Sequence, residues 1–206
     1  FDFSTMLTKN EVFKKYENNT KLRSRDDRQE LNGYQDDSII NQQRKSQFQN
    51  YIILVSRATS GCINNSNIEE FLNKSQWVPP REMPEKKRFV IDHEHSEKMR
   101  RLKYDVVADE SLLSDNDWNK VVAIFIIGKK WQIRTYKPNV PQDLFDKVLG
   151  IYVGWDSEDI PAEIKTWRIQ KCLINKKSRH NDPQKVGLIW RDIEEATERL
   201  KKRRND

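Results

Sequence analysis

The sequence predicts an α/β protein, a three-layer sandwich whose helices cover both faces of a mostly parallel central sheet. Three observations carry that reading. From Tyr51 onward short apolar runs alternate with amphipathic segments, the pattern of strands linked through helices. Val121 to Ile127 is apolar at every position, as a strand covered on both faces requires. Helix signals stand between the runs: Ser114-x-x-Asp117, Pro141, and an apolar stripe after Pro183.

The elements follow in order. Tyr51 to Val55 reads as the first strand. Ser66-x-x-Glu69 caps a helix with Ile68, Phe71 and Leu72 on one face. Arg88 to Asp92 and Tyr104 to Ala108 are two more strands, and Ser114-x-x-Asp117 opens a short turn of helix before Trp118 and the Val121 strand. Pro141 starts a helix with Leu144, Phe145, Val148 and Leu149 inward, and Gly150 is expected to end it. Ile151 to Trp155 and Trp167 to Ile174 supply the last strands. The final helix places Val186, Ile189, Ile193, Ala196 and Leu200 on one stripe. It runs out in Lys201, Lys202, Arg203 and Arg204, cations at the favourable end of the helix dipole.

Before that domain, residues 1–50 are rich in Asn, Gln, Asp, Lys, Arg and Ser. They read as a mostly disordered extension, with a possible amphipathic helix over 8–17 and a linker over 20–50, leaving 51–204 as the folded domain. Hydrophobic residues make up 35% of the 206 and charged residues 34%, so the surplus polarity belongs in such an extension rather than in a core. A net charge of +6 favours acidic partners such as nucleic acid, phosphorylated peptide or an anionic surface. Two cysteines, Cys62 and Cys172, are too few for a disulfide framework and point to a reducing nuclear or cytosolic compartment. The longest apolar run is far short of a membrane span, and no membrane partner is expected.

Sites that would make the domain an enzyme are weak. The loop after the first strand, Ser56-Arg-Ala-Thr-Ser-Gly61-Cys-Ile-Asn64, lacks the glycines, Lys and Ser or Thr of a phosphate-binding loop. Asn175-Lys176-Lys177-Ser178 superficially resembles a guanine-reading motif, but Ser178 cannot accept the paired base donors that a carboxylate accepts. Asp92-His93-Glu94-His95 alternates two histidines on one side of an extended segment, where Cys62 would have to complete a metal site; solvated histidines in a charged loop are the simpler expectation. Cys172 reads as a small core residue. No catalytic residue, cofactor or metal is expected.

Four stretches then match a known family in order and approximate spacing: Asp117-Trp118 through Gly128 with Trp131-Gln132-Ile133; Lys165-Thr-Trp167; Lys177-Ser-Arg179-His180-Asn-Asp182; and Ile189-Trp190. Over roughly residues 51 to 199 the chain resembles the carboxy-terminal domain of the parafibromin family, the cell-division-cycle 73-like subunit of the polymerase-associated factor complex that accompanies transcribing RNA polymerase II. The chain departs from that pattern at Ile133, Ser178 and Pro183. The resemblance implies a Ras-like fold without a nucleotide site, and a nuclear, non-enzymatic interaction domain of transcription elongation. Its implied partners are the other subunits of that complex and phosphorylated tails of RNA polymerase II or an elongation factor, with nucleic acid as the alternative ligand of the same cations.

The residues themselves nominate the surface. Gly128-Lys129-Lys130-Trp131-x-x-Arg134 combines an aromatic plate with cations where a central strand leaves the sheet, and 165–185 holds seven Lys or Arg against one acid, Asp182. The expected partner-binding residues are Trp131, Lys129, Lys130 and Arg134, with Lys176, Lys177, Arg179 and His180. Trp118, Trp167 and Trp190 are expected in the core.

Overall fold

The structure is a computed structural model that describes residues 51–82, 87–95, 98 and 100–205. All of them fall within one unit, Asn50–Asp206. The helix expected over 8–17 and the linker over 20–50 lie outside the described residues.

In chain order the elements are β1 (Tyr51–Leu54), α1 (Ile68–Lys74), β2 (Arg88–Glu94), β3 (Arg101–Val107), α2 (Asp115–Trp118), β4 (Val121–Ile126), α3 (Pro141–Lys147), β5 (Leu149–Trp155), α4 (Ala162–Lys165), β6 (Gln170–Ile174) and α5 (Asp182–Asn205). The six strands form one sheet in the order β2-β3-β1-β4-β5-β6. All pairs are parallel except β2 with β3. Their alternation decides the layers. Tyr51, Ile53 and Val55 point into a cluster with Ile68, Phe71, Ile189 and Ile193 of α1 and α5. Ile52 and Leu54 point the other way, against Ile133, Leu144, Phe145 and Ile164. Every residue of β4 is buried, because two layers cover it. The result is the expected three-layer, mostly parallel, Ras-like sandwich.

Local signals are realised where chain chemistry is strong. The Ser114 hydroxyl accepts from the Asp117 N–H, and the Asp117 carboxylate accepts from the Ser114 N–H, completing the expected capping box. Hydrogen bonds from Lys120 and Ser114 hold the Asp117 carboxyl down from its ordinary 3.8 to about 2. Pro141 stands at the start of α3.

Several expectations are corrected. The cap of α1 is Asn67, not Ser66: the Ser66 hydroxyl donates to Asn64 Oδ1 (2.7 Å) and accepts the Arg81 N–H (2.8 Å), fastening the 60s loop instead. Gly150 does not end α3. It lies inside β5 opposite Ile124, and a Cβ there would overlap the Ile169 side chain and stand 2.8 Å from the Phe145 ring, so close packing by the segment before β6 and by α3 explains the glycine. Leu149 likewise belongs to β5. Trp167 precedes β6 rather than opening it, and packs in the core after the turn of α4.

The histidines are not solvated. His93 stacks on Trp190 of α5 with centroids 3.6 Å apart and planes within 3°, and its Nε2 lies 2.8 Å from Glu194 Oε1. His95, only 4% exposed, puts Nδ1 3.6 Å from the other oxygen of the same carboxylate. A helix distant in sequence supplies both the apolar plate and the acid.

Candidate functional site

Parallel strands bring the carboxyl ends of β3, β1, β4, β5 and β6 to one edge of the sheet, and both expected cationic segments emerge there. They leave from β4 and β6, two strand positions or about 10 Å apart.

The chain leaves β4 through Gly128, whose φ of +86° favours glycine and where a Cβ would meet Pro161 Cγ at 2.7 Å. A 3-10 turn, Lys130–Ile133, follows. Gln132 rivets it to the strand: its Oε1 accepts the Ile127 N–H (2.9 Å) and its Nε2 donates to the Phe125 carbonyl (2.8 Å). With Gln132 and Ile133 buried, Trp131 must project, and it is 51% exposed. Lys129, Lys130 and Arg134 are exposed around it. Trp131 walls a groove of about 290 Å³ whose other sides are Ser56, Ala58, Asp109, Glu110 and Tyr136. The two acids already have partners: Lys87 lies 3.2 Å from Asp109, and the Thr135 hydroxyl donates to Glu110 (2.5 Å). Burial pushes the neighbouring Tyr136 phenol up to about 12, so it stays neutral.

The loop after β6 is organised differently. Arg179 pairs with Asp182, whose side chain is 3% exposed. Its guanidinium also lies over Trp77 (5.3 Å) and Trp155 (5.8 Å), two indoles packed edge to face. Lys176 pairs with Glu158 (2.7 Å) above the Trp155 ring. Lys177 and His180 stay exposed, with the His180 Nδ1 2.9 Å from the Ser178 hydroxyl.

The position a nucleotide would occupy in such a fold is built for something else. In the 56–61 loop a Cβ on Gly61 would stand 2.6 Å from Ile127 Cγ2, so the loop lies packed on the residue that follows β4 rather than arched as a phosphate cradle. The Trp77 indole N–H donates to the Cys62 carbonyl (2.8 Å), and Trp77, Tyr152 and Trp155 line the adjoining groove of about 400 Å³. Asn175, the would-be base reader, accepts the N–H groups of Lys177 (2.8 Å) and Ser178 (2.7 Å) and donates to Asp156 (2.8 Å). Burial, reinforced by Glu158, pushes the Cys62 thiol up to about 11, so it carries almost no thiolate at neutral pH. Among the described residues no group of three His, Cys, Asp or Glu is arranged to hold a metal ion, and no helix is long and apolar enough to cross a membrane.

Of the expected core tryptophans, Trp167 and Trp190 are buried, and the Trp190 indole donates to the Leu72 carbonyl (3.0 Å). Trp118 is only partly covered, tilted against Tyr136. Sequence reasoning passed over Trp77 and Trp155. The first sits in a polar loop and the second ends a strand, and neither position carries a periodic signal.

Comparison with known proteins places the chain in a family. A family model described as "RNA pol II accessory factor, Cdc73 family, C-terminal" matches residues 47–196. Cell division control protein 73 of Saccharomyces cerevisiae is 30% identical over 146 residues, covering 69% of this chain and 37% of that protein. The CDC73 homolog of Arabidopsis thaliana is 29% identical over 158 residues, covering 70% of this chain and 37% of the homolog. The chain therefore spans well under half the length of these relatives. The solved conserved domain of yeast Cdc73 superimposes with a TM-score of 0.69 at 28% identity, over 73% of this chain and 98% of that domain. By matched span, sequence and fold together, the chain belongs to the Cdc73 family of RNA polymerase II accessory factors, and its 47–196 segment is the family's carboxy-terminal domain.

Proposed function

We propose that this domain is a non-enzymatic docking module that works in the nucleus within a polymerase-associated factor complex. It binds acidic or phosphorylated peptide segments, such as the tails of RNA polymerase II or of an elongation factor, and so helps hold the complex on chromatin. The observation that carries the reading is the projecting Trp131, 51% exposed on a turn whose neighbours Gln132 and Ile133 are buried anchors, with Lys129, Lys130 and Arg134 around it. A large indole held in water by a rigid support is ready to be covered by a partner. Arg134 offers a bidentate fork to a phosphate and the lysines offer point charges. Lys177 extends the cationic rim from the β6 side with the exposed His180 ring beside it, while Lys176 and Arg179 hold that rim in shape through Glu158 and Asp182.

The test is fluorescence anisotropy with paired peptides, phosphorylated and unphosphorylated, from Ser- and Thr-rich acidic tails. Phosphorylation should strengthen binding, and Trp131→Ala should weaken it by about 2 kcal/mol, roughly thirtyfold, with the melting temperature nearly unchanged. Equal affinity for both peptides, or an unaffected Trp131→Ala protein, would remove the proposal. Binding of DNA or RNA that falls steeply with salt and is lost in Lys129→Gln/Lys130→Gln/Arg134→Gln would assign these cations to nucleic acid instead.

A further inference from the structure

The opposite edge of the sheet carries a second cationic surface that the docking site does not use. Between the carboxyl end of α3, the starts of β5 and β6, and the last turns of α5 lies a groove of about 670 Å³. Lys147, Arg168, Lys171, Arg199 and Arg203 line it, against Asp146, Asp192 and Glu195. It continues, through Lys147, Val148 and Arg203, into a groove of about 420 Å³ beside the start of β4. That second stretch adds Lys137 and Arg204 and has no acid in its lining; its apolar side is Trp118, Val121, Pro138 and Leu200, and Asn116 and Asn119 flank the indole.

From this surface we infer that the amino-terminal edge of the sheet binds single-stranded nucleic acid, with its phosphates along the cations and a base against Trp118. Three features favour this polymer over an acidic peptide. The cations are strung along a continuous channel rather than gathered at one point, which suits a ligand charged at every repeat. The stretch whose lining holds no acid, with Asp115 standing behind Lys137, is also the one with an aromatic side chain and flanking amides, the pairing that holds a base as well as a backbone. The ion pairs are wet: Arg168 lies 3.6 Å from Asp146 with side chains 89% and 63% exposed, Arg199 lies 3.8 Å from Glu195 with 56% and 61%, and the closer Lys137–Asp115 pair (2.5 Å) is 63% and 87% exposed, so a phosphate displaces them at little cost. Arg203 donates to the carbonyls of Asp146 (3.4 Å) and Lys147 (3.2 Å) at the end of α3, and Lys171 reaches the Lys165 carbonyl at 3.5 Å. Successive turns of α5 place Arg199 and Arg203 about 6 Å apart along its axis, so the helix offers a ladder of charges to the channel.

The inference is independent of the peptide site, which lies at the other end of the same strands. The experiment titrates a fluorescein-labelled twenty-nucleotide oligouridine against the full chain at several salt concentrations. The variant Lys147→Gln/Arg168→Gln/Lys171→Gln/Arg204→Gln is compared with a charge-matched control, Lys74→Gln/Arg81→Gln/Arg101→Gln/Lys103→Gln. The groove variant should lose at least about tenfold in affinity, and its salt slope should fall by about 3, near 0.7 for each phosphate contact removed. The control should keep both. If the fourfold variant melts early, the pair Arg168→Gln/Arg204→Gln, both exposed, provides the reading with a fall in slope of about 1.4. Equal losses in groove variant and control would show a diffuse field and overturn the inference. So would tighter binding of duplex DNA than of oligouridine, or displacement of oligouridine by poly-glutamate at equal charge concentration.

Discussion

The turn after β4 and the loop after β6 are both cationic segments associated with tryptophan at the same edge of one sheet, yet they use their charges in different ways. After β4 the anchoring is done by an uncharged residue, Gln132, and the three cations around Trp131 remain exposed. After β6 the Asn175 side chain holds the Lys177 and Ser178 N–H groups, but two of the cations are engaged as well: Arg179 on the buried Asp182 between two indoles, Lys176 on Glu158. The difference teaches that cation density in a sequence does not measure cation availability. What matters is whether a carboxylate stands within reach of each cation, as Asp182 and Glu158 do after β6. Arg179 can offer its fork to a phosphate only by giving up Asp182, whereas Arg134 faces no such competition from any described carboxylate.

The largest expected effect tests the locked side of this contrast. Arg179→Ala leaves Asp182 buried without its partner and should cost about 3 kcal/mol of unfolding free energy, read by urea denaturation. A loss below about 1 kcal/mol would mean that the two segments are organised alike. The next tests the open side: Trp131→Ala should change stability by less than about 1 kcal/mol while removing about 2 kcal/mol of phosphopeptide affinity. A collapse of the fold would show that the exposed indole is structural after all.

A third, smaller effect asks whether the turn depends on the far end of β4. Ser114→Ala removes the cap and should cost about 1 kcal/mol in a chemical melt without altering peptide affinity. The Asp117 carboxylate, held by Lys120 and by the Ser114 cap, gives a pH dependence. The Asp117 pKa is lower in the folded chain than in the unfolded one, so its contribution is complete above about pH 4 and is lost as pH falls toward 2. Because the side chain is partly solvated, with 20% exposure, we expect about 1 kcal/mol over that window, absent in Asp117→Asn. The smallest effect concerns Lys176. Its pair with Glu158 is exposed on both sides, at 52% and 57%, and Lys176→Gln should shift stability by only about 0.3 kcal/mol. A larger loss would place Lys176 with Arg179 as part of the structural knot.

The sequence by itself determined whatever depends on neighbours along the chain. Buried strands show as uninterrupted apolar runs, Ser114 and Asp117 sit at the spacing a capping box needs, Pro141 suits a first helical turn, and the α5 stripe repeats with the helix period. Together they were enough for a covered, mostly parallel sheet and for the two cationic segments. Only the tertiary structure decided which of those cations are engaged and which tryptophans are covered. His93 meets Glu194 across 101 positions, and Arg179 meets Trp77 from the far end of the domain. Ser66 matched a capping box in sequence, but bonds to Asn64 and Arg81 claimed its hydroxyl. Periodicity reports which face of an element is apolar and is silent on which distant side chain arrives to neutralise a charge. That depends on the order of strands in the sheet, which brings residues a hundred positions apart to within hydrogen-bond range.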